Sequence, residues 1–171
     1  YQPEAYIPQT DTYIEKEAEI NEEIDKLRLS ATTNLLTRKD VIVVASVSCI
    51  YNLGSPVEYG KFILEIRNKM IISIKQIMLR LSDLQYERNE YSFERGSYRV
   101  RGDSIDIFPA YKDTGIRIET KDEKVHSISE FSALTGDTIE KMENTVIYPA
   151  KHYMTDPLTY QDVFPKILSD M

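Results

Sequence analysis

The sequence predicts an α+β domain of short antiparallel strands with helices, inserted after a fragment of a larger α/β domain. Three patterns support this prediction. Apolar residues recur at helical spacing in residues 21–36 and 73–84. Residues 41–45 form a mostly β-branched run without alternation. From Tyr91 onward, apolar and polar residues alternate with the period of two that is typical of half-buried strands.

Composition and charge exclude several classes of protein. The chain has 171 residues with a formal net charge of −7, and no apolar stretch approaches the roughly 18–20 residues that span a bilayer, so we expect no membrane attachment. The acidic balance argues against strong non-specific DNA binding by the whole chain. The single cysteine, Cys49, excludes an internal disulfide framework and fits a reducing, cytoplasmic compartment. Because the first residue is Tyr1 and not Met, we expect a piece of a longer protein.

The first third of the chain is predicted to hold one helix and one strand. Asn21 is a good N-cap, and Glu22 and Glu23 occupy the first turn. The helix is expected to reach about Leu36 along an apolar stripe formed by Ile24, Leu27, Ala31 and Leu35. The run at 41–45 predicts a strand buried on both faces, as in a parallel sheet. Such a strand needs neighbours that this sequence does not obviously supply, so the first third is not a complete domain.

Two further helices are predicted before the alternating region. Ser55, Pro56 and Glu58 form a capping-box signature at the start of the first one. That helix is expected to continue through Phe62, Ile63 and Ile66. The second is expected at about 73–84, where apolar residues repeat at helical spacing.

A β-hairpin is predicted at residues 97–108, with Gly102 and Asp103 as a two-residue turn. One face of the hairpin then holds two apolar pairs, Val100 opposite Ile105 and Tyr98 opposite Ile107. The other face holds two polar pairs, Arg99 opposite Asp106 and Arg101 opposite Ser104. We expect the apolar face to pack on the helices and the arginine face to be exposed. Further strands are expected at 116–119, 125–128 and 145–148, followed by a short helix from Asp156.

No pattern supports catalysis by this chain alone. It contains no glycine-rich phosphate loop, and its two histidines, His126 and His152, are too isolated for a triad or a zinc cage. No nucleophile elbow surrounds Ser46 or Ser48. We therefore predict no catalytic residue, no metal ligand and no cofactor site within the chain.

A concentration of arginines marks the most distinctive candidate site. Arg88, Arg95, Arg99 and Arg101 lie within fourteen residues. Composition alone favours a solvated face that is partly neutralised by ion pairs. The alternative is a partner-binding surface, because the planar guanidinium offers five donors that suit carboxylates or phosphates. The residues by themselves leave both interpretations open.

Nine strings of residues make the chain recognisable as a family member. The first four are YQPEAY at 1–6, SAT at 30–32, DVIVVASVSCIY at 40–51 and LGSP at 53–56. The other five are DLQYERN at 83–89, RG at 95–96, RVRGD at 99–103, IFPA at 107–110 and IRIE at 116–119. Together they closely resemble the UvrB family, the helicase-like, damage-verifying subunit of the bacterial nucleotide excision repair nuclease. The resemblance runs from Tyr1 to about Tyr153.

The resemblance implies a domain organisation. Residues 1–55 would be part of the first RecA-like helicase domain, including the returning arm of the DNA-binding β-hairpin. Residues 56–153 would be the inserted UvrA-interaction domain, and residues 154–171 would start the return to the helicase domain. ATP and Mg²⁺ are the cofactors of full-length members, but the motifs that bind them are not in this sequence. We therefore do not expect this chain to be an enzyme by itself.

The resemblance also implies partners and site residues. The expected partner is UvrA, joined in the longer protein by UvrC and damaged DNA. The surface through which the family contacts UvrA is matched by Arg88, Arg95, Arg99, Arg101, Arg117 and Glu119. The residues that match DNA-contacting positions are Tyr1, Glu4, Tyr6, Tyr13 and Arg28.

The sequence departs from the family pattern in three places, and two other identities remain open. Asn52 stands where glycine is usual, residues 68–77 diverge from an acidic pattern, and residues 120–122 replace an aromatic–glycine turn. One alternative is the UvrA-binding domain of the transcription–repair coupling factor, and another is a helicase piece with its own ATPase activity. The tyrosine-rich start and the string at 40–51 favour the UvrB family over the coupling factor.

Overall fold

The computed structural model describes residues 4–15, 22–45 and 62–151 of the chain. These residues form two helices, α1 (Glu22–Thr37) and α2 (Ile74–Asp83). They also form the strands β1 (Glu4–Ile7), β2 (Thr12–Glu15), β3 (Leu64–Arg67), β4 (Glu87–Arg88), β5 (Ser97–Arg101), β6 (Ser104–Phe108), β7 (Thr114–Lys121), β8 (Lys124–Ser132), β9 (Thr138–Met142) and β10 (Asn144–Ile147). The predicted N-cap at Asn21, the capping box at 55–58 and the helix from Asp156 lie outside the described residues.

A six-stranded sheet forms the centre of the 62–151 region, with the strand order β4-β5-β6-β7-β8-β9. Its neighbouring strands are antiparallel except for β4 and β5, which are parallel. β3 and β10 form a separate antiparallel pair. Short connections let consecutive antiparallel strands pair directly. The architecture is therefore α+β, as the alternating pattern predicted.

The β5–β6 hairpin has the predicted register. Val100 pairs with Ile105, Tyr98 with Ile107, Arg99 with Asp106, and Arg101 with Ser104. Gly102 in the turn has a φ of +59°, a left-handed conformation that glycine adopts without the steric cost of a side chain. The turn residues and the period-two pattern were sufficient to fix this element.

The apolar face of the six-stranded sheet packs against α2. Ile77 and Leu81 of α2 share one fully buried cluster with the strand residues Ile105, Ile107, Ile116 and Ile118. Burying side chains of this size contributes about 1.5–3 kcal/mol each relative to leaving them exposed. The core of the domain therefore lies between α2 and one face of the sheet.

Helix α2 confirms the prediction at 73–84 and begins with a capping box. The Ser73 hydroxyl accepts a hydrogen bond from the backbone N–H of Gln76, and the Gln76 side chain accepts one from the backbone N–H of Ser73. Such a pair satisfies two of the backbone donors that a helix start leaves without partners. In the described ranges, neither helix has the length and apolar character needed to cross a membrane.

The helix predicted to run through residues 62–66 is wrong over its described part. Residues 64–67 form β3, in which Leu64 and Ile66 are buried while Glu65 and Arg67 are exposed. The spacing of the apolar residues suits a helix locally. The distant partner strand β10 fixes the extended conformation instead.

The strand predicted at residues 41–45 is also wrong. The backbone there is irregular, and Ile42 and Val44 are 91% and 94% exposed. A strand buried on both faces requires a neighbour on each side, and no strand in the described parts of the chain pairs with this segment. The attachment of this region to a RecA-like α/β domain therefore stays a prediction.

Helix α1 confirms the predicted span, but it buries a different face from the predicted stripe. Leu29 and Thr33 are buried, whereas Leu27 and Leu35 are 44% and 53% exposed. Leu29 packs with Ala110 and Tyr111, which follow β6. This contact joins segments that are distant in sequence, so the spacing within α1 could not reveal it.

The start of the chain forms a small hairpin of its own. β1 and β2 pair antiparallel, with Tyr6 opposite Tyr13 and Glu4 opposite Glu15. Two-stranded hairpins are only marginally stable in isolation. Both arms of this hairpin lie within residues 4–15.

Candidate functional site

The face of the six-stranded sheet that points away from α2 carries two rows of polar side chains. Side chains alternate between faces along a strand, so directly paired residues of neighbouring strands share a face. The first row is Arg99, Asp106, Arg117 and Ser129, and the second is Arg101, Ser104, Glu119 and Ser127. We call the surface formed by these two rows the polar face.

The centre of the polar face is one carboxylate held between two guanidinium groups. Asp106 is 3% exposed, and the Nη2 atom of Arg99 lies 3.0 Å from its Oδ2 atom. Arg117 donates from Nε to Oδ1 at 2.7 Å and from Nη2 to Oδ2 at 3.1 Å. This two-bond arrangement is the geometry in which guanidinium and carboxylate match best. Two cations share one anion, so the cluster carries one unbalanced positive charge.

Both arginines of this cluster are largely covered and fixed in place. The side chains of Arg99 and Arg117 are 17% and 26% exposed. The hydrogen bond to Asp106 raises the pKa of Arg117 above its usual value, and attraction to Asp106 and Glu119 adds to this against the opposing effect of burial. The prediction that Arg99 lies on an exposed, solvated face is wrong, because it packs into this cluster and beneath an aromatic ring.

Three phenylalanine rings flank the two arginines. Phe93, in the segment before β5, stacks against Phe108 and Phe131 with centroid separations of 5.3 and 5.8 Å. The guanidinium carbon of Arg99 lies 4.2 Å from the ring centroid of Phe93, and that of Arg117 lies 4.6 Å from the centroid of Phe131. Cation–π contacts of this kind contribute about 0.5–2 kcal/mol each. The rings thus hold the guanidinium planes and exclude water from part of the polar face.

Gly115 makes room for one of these rings. It pairs directly with Phe131 across β7 and β8. A Cβ atom at position 115 would lie 2.4 Å from a carbon of the Phe131 ring, which is closer than side chains approach each other. Glycine at this position therefore lets Phe131 reach both Phe93 and Arg117.

Arg101 is the exposed arginine of the polar face. Its guanidinium has no hydrogen-bond or ion-pair partner among the described residues. Glu119, in the same row, is also exposed and accepts a hydrogen bond from the Ser127 hydroxyl. The five guanidinium donors of Arg101 are thus available to a partner molecule.

The remaining two arginines of the predicted set lie at the edges. Arg95 forms an ion pair with Asp113, and its guanidinium carbon is 5.5 Å from the ring centroid of Phe108, so it borders the polar face. Arg88 pairs in β4 with Tyr98, whose side chain belongs to the core under α2. Arg88 therefore lies on the other side of the sheet edge. The structure brings five of the six predicted residues together and leaves Arg88 apart.

The predicted DNA-contacting residues fall on two elements. Glu4 and Tyr6 lie on β1 and Tyr13 on β2, so three of the five share one hairpin. Arg28 lies on α1, where it forms an ion pair within the helix. Tyr1 lies outside the described residues.

Two features of the polar face were missed in the sequence. Phe93 lies between Arg88 and Arg95, and an aromatic residue within an arginine-rich segment was the available signal. Asp106 was predicted only as the partner of Arg99, whereas its stronger, two-bond partner is Arg117 on the next strand. This second contact depends on the pairing of β6 with β7, which the local sequence pattern does not reveal.

The chemistry of the polar face suits recognition. Its side chains are guanidinium, carboxylate and hydroxyl groups, none of which titrates near neutral pH in its ordinary state. Across residues 4–15, 22–45 and 62–151, no three His, Cys, Asp or Glu side chains are placed to hold a metal ion. A rigid, charged and partly aromatic surface of this kind resembles the arginine- and aromatic-rich centres of protein–protein interfaces.

Comparison with known proteins places the chain in a family. The family model described as the UvrB interaction domain matches residues 64–153, which is more than half of the chain. The chain belongs to the UvrB interaction domain family. Every residue of the polar face lies within the matched range.

Three of the similar proteins, each named UvrABC system protein B, show how much of the chain is shared. The protein of Listeria monocytogenes is 54% identical over 158 residues, which are 92% of this chain and 24% of that protein. The protein of Clostridium acetobutylicum is 52% identical over 168 residues, covering 98% of this chain and 25% of its own length. The protein of Nitratidesulfovibrio vulgaris is 49% identical over 172 residues, covering 100% of this chain and 25% of its own. The chain thus spans about a quarter of the length of these relatives.

Proposed function

We propose that this chain acts in nucleotide excision repair as the part of a UvrB-family protein that binds UvrA. Membership of the UvrB interaction domain family and the relatives named UvrABC system protein B support this role. The single observation that carries the binding assignment is the polar face, where Arg101 and Glu119 are exposed beside a rigid base of covered charges. In this proposal the chain is an interaction module and not an enzyme by itself.

The structure of the polar face supports two different roles for its arginines. Arg99 and Arg117 are held by Asp106 and by aromatic rings, so their contribution is a fixed positive field. Arg101 is free to form a new ion pair, and an acidic side chain of UvrA is the chemistry that fits it. Because the supporting arginines are held before binding, their side chains lose little further conformational entropy when the complex forms.

The rest of the longer protein would supply the DNA-related activities. We infer that the β1–β2 hairpin, with Glu4, Tyr6 and Tyr13, is part of the element that contacts damaged DNA, since tyrosine rings stack well on bases. Residues 1–55 and 154–171 would then belong to the first helicase domain. ATP and Mg²⁺ would bind in the longer protein, where UvrC is a further partner.

The two alternative identities have less support. A domain of the transcription–repair coupling factor would also bind UvrA, but the similar proteins reported above carry the name UvrABC system protein B. An intrinsic ATPase would require a phosphate loop, which this sequence lacks. ATP hydrolysis by the purified chain would revive the second alternative.

Titration calorimetry with UvrA tests the proposed binding surface. The variant Arg101→Ala is compared with Arg67→Ala, which removes an exposed arginine from β3, outside the polar face. Truncating a hot-spot arginine of an interface costs about 2 kcal/mol or more, so Arg101→Ala in that role is expected to weaken binding by roughly thirtyfold. Arg67→Ala is expected to bind like the parent chain. Unchanged affinity of Arg101→Ala, or an equal loss in both variants, would remove the basis of the assignment.

A further inference from the structure

A second cluster of basic side chains lies at one end of the sheet, where the β7–β8 turn meets the turn after β3. Lys69, Lys121, Lys124 and His126 border an open depression of about 590 Å³. Asp122 is the one carboxylate among its described lining residues. We call Lys69, Lys121 and Lys124 the lysine cluster. The proposed contact with UvrA makes no use of it.

Two members of the lysine cluster face each other directly. Lys121 and Lys124 form the last residue pair of the β7–β8 hairpin. Like charges in directly opposed positions destabilise a sheet. No carboxylate in the described ranges forms an ion pair with either ammonium group. Asp122 and Glu123, the two residues between these lysines, offset part of the repulsion without forming a direct ion pair.

Backbone hydrogen bonds bring the third lysine to this pair. The turn after β3 is joined to residues 123–125 by three bonds of 2.9 Å: Lys69 N–H to the Val125 carbonyl, Ile72 N–H to the Glu123 carbonyl, and Val125 N–H to the Met70 carbonyl. Lys69 has a φ of +67°, a left-handed conformation that is unfavourable for a residue with a side chain. Its ammonium group, too, has no ion-pair partner among the described residues. The fold thus holds three lysines without a described ion-pair partner around one depression, beside the carboxylate of Asp122.

A β-bulge places His126 at the same depression as the lysine cluster. Glu119 pairs with Ser127, and the next residue, Thr120, pairs with Val125, so His126 is the extra residue of β8. Bulges of this kind redirect a side chain out of the regular alternation. His126 is exposed and borders the depression beside the lysines.

We propose that the lysine cluster is a binding site for the phosphate backbone of nucleic acid. Lysine ammonium groups on flexible stems neutralise phosphates as point charges and do not require one fixed geometry. The described lining contains no Phe, Tyr or Trp ring on which a base could stack, so the site contacts phosphates and does not read sequence. The site is local in a chain of net charge −7, so binding by this chain alone is weak. This assignment does not depend on the contact between the polar face and UvrA.

Fluorescence anisotropy with a labelled duplex oligonucleotide tests the site in the 171-residue chain. Replacing Lys69, Lys121 and Lys124 together by Gln is expected to weaken binding about tenfold or more at low salt. Three lost phosphate contacts should also reduce the slope of log K against log salt by about 2–3, since each contact contributes roughly 0.9 for duplex DNA. The control replaces three exposed lysines elsewhere, Lys39, Lys141 and Lys151, by Gln, and it is expected to bind like the parent chain. Unlike the lysines of the cluster, Lys151 pairs with a carboxylate, that of Glu87.

Further variants and ligands distinguish nucleic acid from other anions as the ligand of the site. Replacing the three lysines by Arg keeps the charges and is expected to restore binding, and melting curves of all variants report whether they fold. Equal losses in the cluster and control variants would show that general charge and not this site determines binding. Pyrophosphate binding without DNA binding, or poly-glutamate binding as tight as that of DNA, would overturn the nucleic-acid assignment in favour of free phosphate or an acidic polypeptide.

Discussion

Asp106 is the residue on which the construction of the polar face depends. It is nearly inaccessible to solvent and accepts hydrogen bonds from two arginines of neighbouring strands. Asp106→Ala would leave two largely covered guanidinium groups without their anion, a loss that typically costs about 3–5 kcal/mol for fully buried pairs. Since both arginines keep some contact with water, we expect about 2–4 kcal/mol, measured by urea denaturation. Glu119→Ala, on the exposed row, serves as the control and should cost well under that amount. A loss below about 0.5 kcal/mol for Asp106→Ala would contradict the proposed role.

Arg99 and Arg101 differ in role although only one residue separates them. Arg99 bonds to Asp106 and lies over the Phe93 ring, so Arg99→Ala is expected to lower stability by about 1–3 kcal/mol. Arg101 is exposed and has no described partner, so Arg101→Ala should change stability by less than about 0.5 kcal/mol. Thermal melting curves of the two variants measure this contrast. Equal melting temperatures would show that the covered position of Arg99 contributes nothing.

Among the elements, β7 and β8 are held in close contact by Gly115. A methyl group at this position would overlap the Phe131 ring, so Gly115→Ala is expected to destabilise the domain by about 1–3 kcal/mol through overpacking. The cost should largely disappear in a Phe131→Ala background, where the ring is gone. A double-mutant cycle by chemical denaturation measures the coupling. Simple additivity of the two substitutions would mean that the ring does not restrict position 115.

Helix α1 is attached to the sheet region partly by a charged contact. Asp113 pairs with Lys26 of α1 and with Arg95. The hydrogen bond from Lys26, followed by that from Arg95, holds the pKa of Asp113 below its ordinary value of 3.8. Because the pKa is lower in the folded chain, this contact stabilises α1 docking fully above the ordinary value. The contribution is lost as the pH falls through the lowered value. Asp113 is mostly exposed, so solvent screening keeps the effect small.

Carboxyl NMR titration tests this contact directly. The pKa of Asp113 should be below 3.8 in the parent chain and should rise toward it in Lys26→Ala. Arg95→Ala should shift the pKa of Asp113 in the same direction, because Arg95 also donates a hydrogen bond to this carboxylate. If the titration of Asp113 is the same in the parent chain and both variants, neither cation contacts it in solution.

At the scale of the whole molecule, the two faces of the six-stranded sheet have different roles. One face packs under α2 and forms the core, and the other presents charges supported by aromatic rings. Local patterns predicted what depends on neighbours in sequence: α2, the register of the β5–β6 hairpin and the alternation in β7 and β8. Contacts between distant segments decided the rest. β10 makes β3 a strand, Ala110 and Tyr111 select the buried face of α1, and β7 brings Arg117 to Asp106.

The sequence was enough to predict which residues form the site but not how they are arranged in space. The resemblance to the UvrB family identified five residues that the structure gathers on or beside the polar face. It did not reveal that Arg99 is covered, because Phe93 reaches it from a segment without regular structure. Nor could the run at 41–45 form its predicted strand, since the partners of a parallel sheet are not found among the described residues.

Hydroxyl-radical footprinting of the chain with and without UvrA tests most directly whether the polar face is the docking surface. Labelling reports side-chain exposure. Phe93 lies over Arg99 of this face, and the fully exposed Tyr91 lies two residues before it in the chain. Leu79, which is 67% exposed on the outer side of α2, is the internal control. We expect UvrA to reduce labelling of Phe93 and Tyr91 and to leave Leu79 unchanged. Protection of Leu79 without protection of Phe93 and Tyr91 would place UvrA on the opposite side of the domain and contradict the proposed function.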